Sequence, residues 1–83
     1  YQTGPYFAYY YTARYQDVIN LATTTLDAVQ SKKALEESWY WRGMAELASG
    51  DQVSAITDFK ESLVWHEGFT PSVEQLNNLG LTP

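Results

Sequence analysis

Asp58, Ser62 and His66 carry the three side-chain types of a hydrolytic triad at four-residue steps. That spacing places all three along one helix and its exit, with no oxyanion donor and no pocket implied, so acyl transfer is not expected there. His66 is the only histidine and the chain has no cysteine. "HEGF" lacks a second histidine four residues on, and a transition-metal site would need carboxylates from scattered positions. His66 therefore reads as an exposed loop residue. Glu36 and Glu37 would make an acid–base pair on paper. At the start of a helix they have a simpler role, since anions there complement the helix dipole, as Asp17 and Asp51 also would. Asp58, Glu61 and Glu46 read as solvated positions. The glycines stand alone, so no phosphate-cradling loop is present. Neither catalysis nor a cofactor or metal site is expected.

The remaining chemistry is aromatic. "YFAYYYTARY", residues 6–15, holds five tyrosines. Such a run can serve as a sugar platform, a nucleic-acid stacking surface, a protein interface or a helical core. Ten acidic residues against five basic ones give a net charge of −5, which repels a phosphate backbone and disfavours nucleic acid. No apolar run approaches membrane-spanning length, and no signal peptide is visible. The chain starts at Tyr1 without methionine and reads as a processed or excised segment, which leaves its compartment open. Eighty-three residues make one small domain with a marginal core, unassisted by disulfides. The three Trp, seven Tyr and three Phe must supply much of its apolar burial.

The elements that position these rings are helical. "LEESWYWRGMAELASGD" sets Leu35, Trp39, Gly43 and Leu47 at steps of four, with Met44 and Ala48 alongside. Gly50-Asp51 stops that helix and caps the next, predicted over 52–65 with Val53, Ile56, Phe59 and Leu63 inward. So short a break implies an antiparallel hairpin. Upstream, Val18, Leu21, Ala22, Thr25 and Leu26 form the face of a helix over 16–29, with Thr23 and Thr24 facing water. A helix beginning near Pro5 places Tyr6, Tyr9, Tyr10 and Ala13 on one face. After the break at Gly68, Thr70 as N-cap and Pro71 begin a last helix over 70–80, with Val73, Leu76 and Leu79 inward.

One offset carries Val18 onto Ala55, Ile19 onto Ile56 and Leu26 onto Leu63, within the range of helical repeats. The second unit resembles a tetratricopeptide repeat through Trp39, Gly43, Gly50-Asp51, Ala55-Ile56, Phe59 and Leu63. Glu46, Ser62 and Glu67 depart from the family pattern. In the first unit, which is cut short, Ala22 stands where the aromatic belongs. The resemblance implies an all-α fold of antiparallel hairpins stacked as a short solenoid: repeat one over 5–30, a connector at 31–35, repeat two over 36–67 and a terminal helix over 70–80. It implies that Tyr9 takes the core aromatic position and that Tyr15 packs at the start of the second helix. It also implies a concave, partner-binding surface of Phe7, Tyr10, Tyr11, Glu37, Tyr40, Met44, Leu47, Ala48, Glu74 and Asn78. The implied function is a scaffold for a protein, a peptide, a neighbouring domain or a second copy of the chain. A homodimer would form through Tyr6, Phe7 and Tyr9 if the clipped end leaves them exposed. Tyr40 and Met44 stand where chaperone-tail-binding members of the family carry a cation and an amide, so that ligand is not expected. The alternative is a carbohydrate- or cell-wall-binding module stacking sugars on Tyr10, Tyr11, Tyr40 and Trp41.

Overall fold

A computed structural model describes residues 4–28 and 36–81; the predicted connector and Leu35 lie outside these. The described residues form five helices and no strand: α1 (Gly4–Tyr11), α2 (Tyr15–Ala28), α3 (Glu36–Ala48), α4 (Gln52–Trp65) and α5 (Thr70–Asn78). None of these helices is long and apolar enough to cross a membrane.

The helix ends follow from local chemistry. Asp51 caps α4 by accepting a hydrogen bond from the Ser54 amide at 3.2 Å. α3 closes with the Asp51 amide donating to the Glu46 carbonyl at 2.8 Å, while Gly50 takes a left-handed φ of 93°. α5 closes in the same way: the Leu81 amide donates to the Leu76 carbonyl at 2.9 Å, beside left-handed Gly80. α1 repeats the closure with Arg14 donating to Tyr9 at 2.8 Å, but its left-handed residue is Ala13, at φ 60°. Ala13 thus turns the chain instead of extending the α1 face as expected. Thr70 is the first residue of α5 and not its cap; Phe69 holds the cap position and is buried, so an apolar anchor fixes that end.

Packing sorts the predicted faces. Val18, Ala22 and Leu26 form the buried stripe of α2. α3 lies between neighbours and buries Glu36, Ser38, Trp41, Gly43 and Ala45 on more than one face. Of its predicted stripe, Gly43 is buried, Trp39 and Leu47 are half-buried and Ala48 is exposed. α4 buries Ala55, Asp58, Phe59 and Ser62, whereas Val53 is 79% exposed. The inward face of α4 is therefore rotated away from Val53, and polar Asp58 and Ser62 sit within it.

Side-chain pairs give the helix directions. Glu36 meets His66, Arg42 meets Asp58 and Gly43 meets Phe59, so α3 and α4 run antiparallel. Ser62 meets Ser72, while Phe59 and Leu76 share a cluster, so α4 and α5 run antiparallel. Tyr6 bonds Ser38 and Tyr10 touches Trp41, which brings α1 alongside α3. Two apolar clusters result. Tyr6, Val18, Ala22, Trp41 and Ala45 make one; Ala55, Phe59 and Leu76 make the other. Tyr40 and Met44 pack against both and join them.

Two tyrosine expectations change. Tyr6, not Tyr9, is the core ring of α1: it is 3% exposed and its hydroxyl bonds Ser38 Oγ at 2.7 Å. Tyr9 is half-buried under the Arg14 guanidinium, which lies 4.6 Å from its ring centre. Of Tyr6, Phe7 and Tyr9, expected to be exposed at the clipped end, Phe7 is exposed, Tyr9 is half-buried and Tyr6 is buried; Tyr11 is exposed as well.

Candidate functional site

Glu37, Tyr40, Met44 and Leu47 recur at steps of three and four on α3, which aligns them on one helical face. All four are half-buried. Tyr40 anchors the middle of this face. Its ring lies 5.2 Å from Trp41 and 6.0 Å from both Phe59 and Phe69. From Trp41 the ring contacts continue into α1, to Tyr10 at 5.5 Å and Phe7 at 6.3 Å. Tyr11 then stacks at a tilt on Phe7 at 4.6 Å and edge-on to Tyr10 at 5.1 Å. One aromatic network thus runs from α1 across α3 to the start of α5. At its α1 end Phe7 and Tyr11 are 57% and 65% exposed.

The electrostatics place the polar members around the same point. The Tyr40 phenol is pushed up to about 12, first by burial and then by Tyr11, Tyr10, Glu37 and Glu74. Burial also raises Tyr10, with Tyr15 and Tyr11 adding to it. Glu37 is raised by burial and by Glu36. The Trp41 indole N–H opposes that rise by favouring the Glu37 carboxylate, although the buried Nε1 makes no well-formed hydrogen bond.

Ring contacts therefore link Phe7, Tyr10, Tyr11 and Tyr40 through Trp41. Glu37, Met44 and Leu47 share the Tyr40 face of α3, and the Glu74 charge acts on Tyr40 from α5. Ala48 and Asn78 are exposed, Asn78 one turn beyond Glu74 on α5. Trp41 is only 8% exposed, so it supports the rings beneath the surface and is not offered to a sugar. Ring planes in the network are steeply inclined, by 80° between Tyr10 and Tyr11 and 74° between Tyr40 and Trp41. They do not form the co-planar row that sugar stacking needs.

The triad-like residues take other partners. Asp58 accepts two bonds from Arg42, both at 2.9 Å; Ser62 donates to the Phe59 carbonyl; and His66 Nδ1 lies 3.2 Å from Glu36 Oε1. His66 is exposed as expected, whereas Asp58 and Glu46 are not solvated: their side chains are 4% and 13% exposed. Arg42 also donates to Thr23 Oγ1 at 3.1 Å, so Thr23 is half-buried in a polar knot of α2, α3 and α4. Glu46 in this knot is pushed up to about 8, by burial first and then by Asp58, against the pull of Arg42.

Sequence reading missed this knot and the anchoring role of Phe69. The sign of the knot was an arginine four residues before a glutamate, with an aspartate in an otherwise apolar helix face. The sign of the anchor was an apolar residue directly ahead of a Thr-Pro helix start. Compared with protein-family models, curated proteins and solved structures, the chain matches none.

Proposed function

We propose that the chain is a short tetratricopeptide-like repeat module that holds a protein segment against the face formed by α1, α3 and α5. The segment belongs to a partner or to a neighbouring domain, and the role is binding, not catalysis. The observation that carries the surface is the continuous ring network, which ends in two neighbouring rings, Phe7 and Tyr11, each more than half exposed. Large rigid rings give contact area at low entropy cost, which suits an interface.

Two features support the repeat architecture. The offset that carries Val18 onto Ala55 also carries Ala13 onto Gly50, and both residues turn left-handed at the same helix closure. The same offset pairs Tyr6 with Gly43 and Ala22 with Phe59. In the second unit a small residue on the first helix faces a ring on the second. In the first unit the sizes are exchanged, with Tyr6 and Ala22 both buried in one cluster. Ala22 is thus compensated by Tyr6, and the interhelix volume is filled from the other side.

Peptides selected from a random library on the wild-type chain provide the test. They should lose roughly tenfold or more in affinity for the Phe7→Ser/Tyr11→Ser double variant, as expected when two interface rings are removed. Phe7 also meets Trp41, so the double variant should weaken α1 while α2 to α5 keep their helicity. Tyr11→Ser alone, whose ring stacks on Phe7 and Tyr10 of its own helix, should keep all five helices and still lose affinity. Selection that yields no binders, or only binders indifferent to both substitutions, sinks the reading.

A further inference from the structure

The occupant's chemistry can be read from the charges around the rings, on the premise that the α1/α3/α5 face is the binding surface. Glu37 sits one turn before Tyr40 on α3, and Glu74 is exposed on α5. Both carboxylates act on the Tyr40 phenol, together with the Tyr10 and Tyr11 hydroxyls, and no cation is among these groups. The described cations are engaged or placed elsewhere. Arg14 pairs with Asp17 at 2.7 Å, Arg42 is held by Asp58, and Lys60 is exposed on α4. The whole chain carries a net charge of −5. Further negative charge is therefore disfavoured at this face, and positive charge would relieve it.

The rings favour the same sign. The faces of tyrosine and tryptophan attract cations, guanidinium above all. Among the described residues this contact is made twice: Arg14 lies 4.6 Å from the Tyr9 ring centre and Arg42 lies 5.1 Å from that of Trp39. At the binding face, half-buried Tyr40 feels the Glu37 and Glu74 carboxylates, and ring contacts through Trp41 link it to half-buried Tyr10 and exposed Tyr11. Phe7, Met44 and Leu47 supply apolar surface next to them.

We propose that this face binds a basic, amphipathic protein segment, whose arginine or lysine side chains lie over Tyr10, Tyr11 and Tyr40 between Glu37 and Glu74 while its apolar side chains pack on Phe7, Met44 and Leu47. Acidic segments are excluded by the same groups. Charge complementarity sets the sign of the partner, and the exposed rings supply the contact area.

Three synthetic peptides of equal length test the assignment, with leucine interspersed with arginine, glutamine or glutamate. Binding is read by fluorescence anisotropy of the labelled peptide. The arginine peptide should bind at least roughly tenfold more tightly than the glutamate peptide, and raising salt from about 0.1 M to about 1 M should weaken it. Glu37→Gln/Glu74→Gln should cost roughly tenfold, taking two partly desolvated ion pairs together. A charge-matched control, Asp27→Asn/Glu61→Gln on α2 and α4, should stay within about twofold. Equal loss in the two double variants would reduce the effect to diffuse net charge and overturn the proposal. Equal binding of all three peptides would overturn it too. If the glutamine peptide binds as tightly as the arginine peptide and loses affinity with Phe7→Ser/Tyr11→Ser, the binding face survives and its cation preference fails. If no peptide binds in a manner sensitive to Phe7→Ser/Tyr11→Ser, both fail.

Discussion

Between α3 and α4 the backbone itself comes close: a Cβ added at Gly43 would lie 2.7 Å from the Phe59 ring. Between α1 and α3 the contact is made by the far ends of side chains, the Tyr6 hydroxyl on Ser38 and the Phe7 and Tyr10 rings on Trp41. The α3–α4 seam is specified by size, since only a residue without a side chain fits against that ring. The α1 contact is specified by one hydroxyl and by rings whose mutual angles vary from pair to pair. α1 is also only eight residues long, too short to hold its own helical form in water. The seam is therefore the folding unit on which the rest depends, and α1 is an attached element with a lower opening free energy. The exposed rings of the candidate site are carried partly by this weaker element.

The largest expected effect comes from breaking the seam. Gly43→Leu drives a branched side chain into Phe59, which is fully buried and has nowhere to move. Overpacking of this kind costs about 3 kcal/mol or more in a tight contact. The better helix propensity of leucine offsets about 1 kcal/mol of that. A net loss of roughly 2 kcal/mol is a large share of the stability of a domain this small. The urea unfolding midpoint should fall well below that of the wild type, with α1 to α5 lost together. A midpoint at or above the wild-type value would show that α3 and α4 do not approach at Gly43.

A second test sharpens the seam by its polar component. Glu46 has an ordinary value of 4.5 and is pushed up to about 8 in the folded chain. Across that window the folded chain keeps a proton that the unfolded chain releases. Its contribution is complete below 4.5 and is lost as pH rises through about 8, so the seam weakens toward alkaline pH. Glu46→Gln cannot ionise and still presents a donor to Asp58. The difference in urea midpoint between about pH 5.5 and about pH 8 should shrink in this variant. Comparison with wild type cancels the groups common to both chains. Equal midpoint differences would remove Glu46 from the pH response.

What could be read from the sequence divides along the same line. The α3–α4 hairpin was legible because Gly43, Gly50-Asp51, Ala55 and Phe59 are types that close approach and a tight turn demand. The helix spans were recovered to within about two residues, as was the inward run Val18, Ala22, Leu26. Helical spacing drew the α3 stripe through Leu35, Trp39, Gly43 and Leu47; the face of Glu37, Tyr40, Met44 and Leu47 was expected only through the tetratricopeptide resemblance. The register within α1 was not legible. Five tyrosines in ten residues offer several equivalent inward choices, and the selection of Tyr6 depends on a partner, Ser38, that is distant in sequence. The buried roles of Asp58 and Ser62 were hidden for a similar reason. Asp58 is tolerated inside because Arg42 on α3 satisfies it, and Ser62 because it donates to the Phe59 carbonyl of its own turn and also meets Ser72 on α5.

The smallest expected effect distinguishes two tyrosines of α1 by one oxygen atom each. Tyr6 and Tyr11 stand at opposite ends of the same short helix, one 3% and the other 65% exposed. Tyr6→Phe keeps the ring in its cluster but removes the bond to Ser38 Oγ, and leaves that buried hydroxyl in need of another partner. The cost of such a loss is about 1 kcal/mol, or roughly a fivefold change in an opening equilibrium. Tyr11→Phe removes a hydroxyl at an exposed position and should change stability by less than about 0.5 kcal/mol. Amide hydrogen exchange reads the two cases separately because it resolves local opening. Tyr6→Phe should speed exchange in α1 by roughly fivefold while the amides of α3 and α4 change much less, since α1 opens without the seam. Tyr11→Phe should alter neither set. If Tyr6→Phe accelerates α1, α3 and α4 equally, α1 is not an attached element but part of the same cooperative unit as the seam. If it accelerates none of them, the Tyr6–Ser38 bond does not fix α1, and the ring contacts with Trp41 alone hold the tyrosine-rich helix in place.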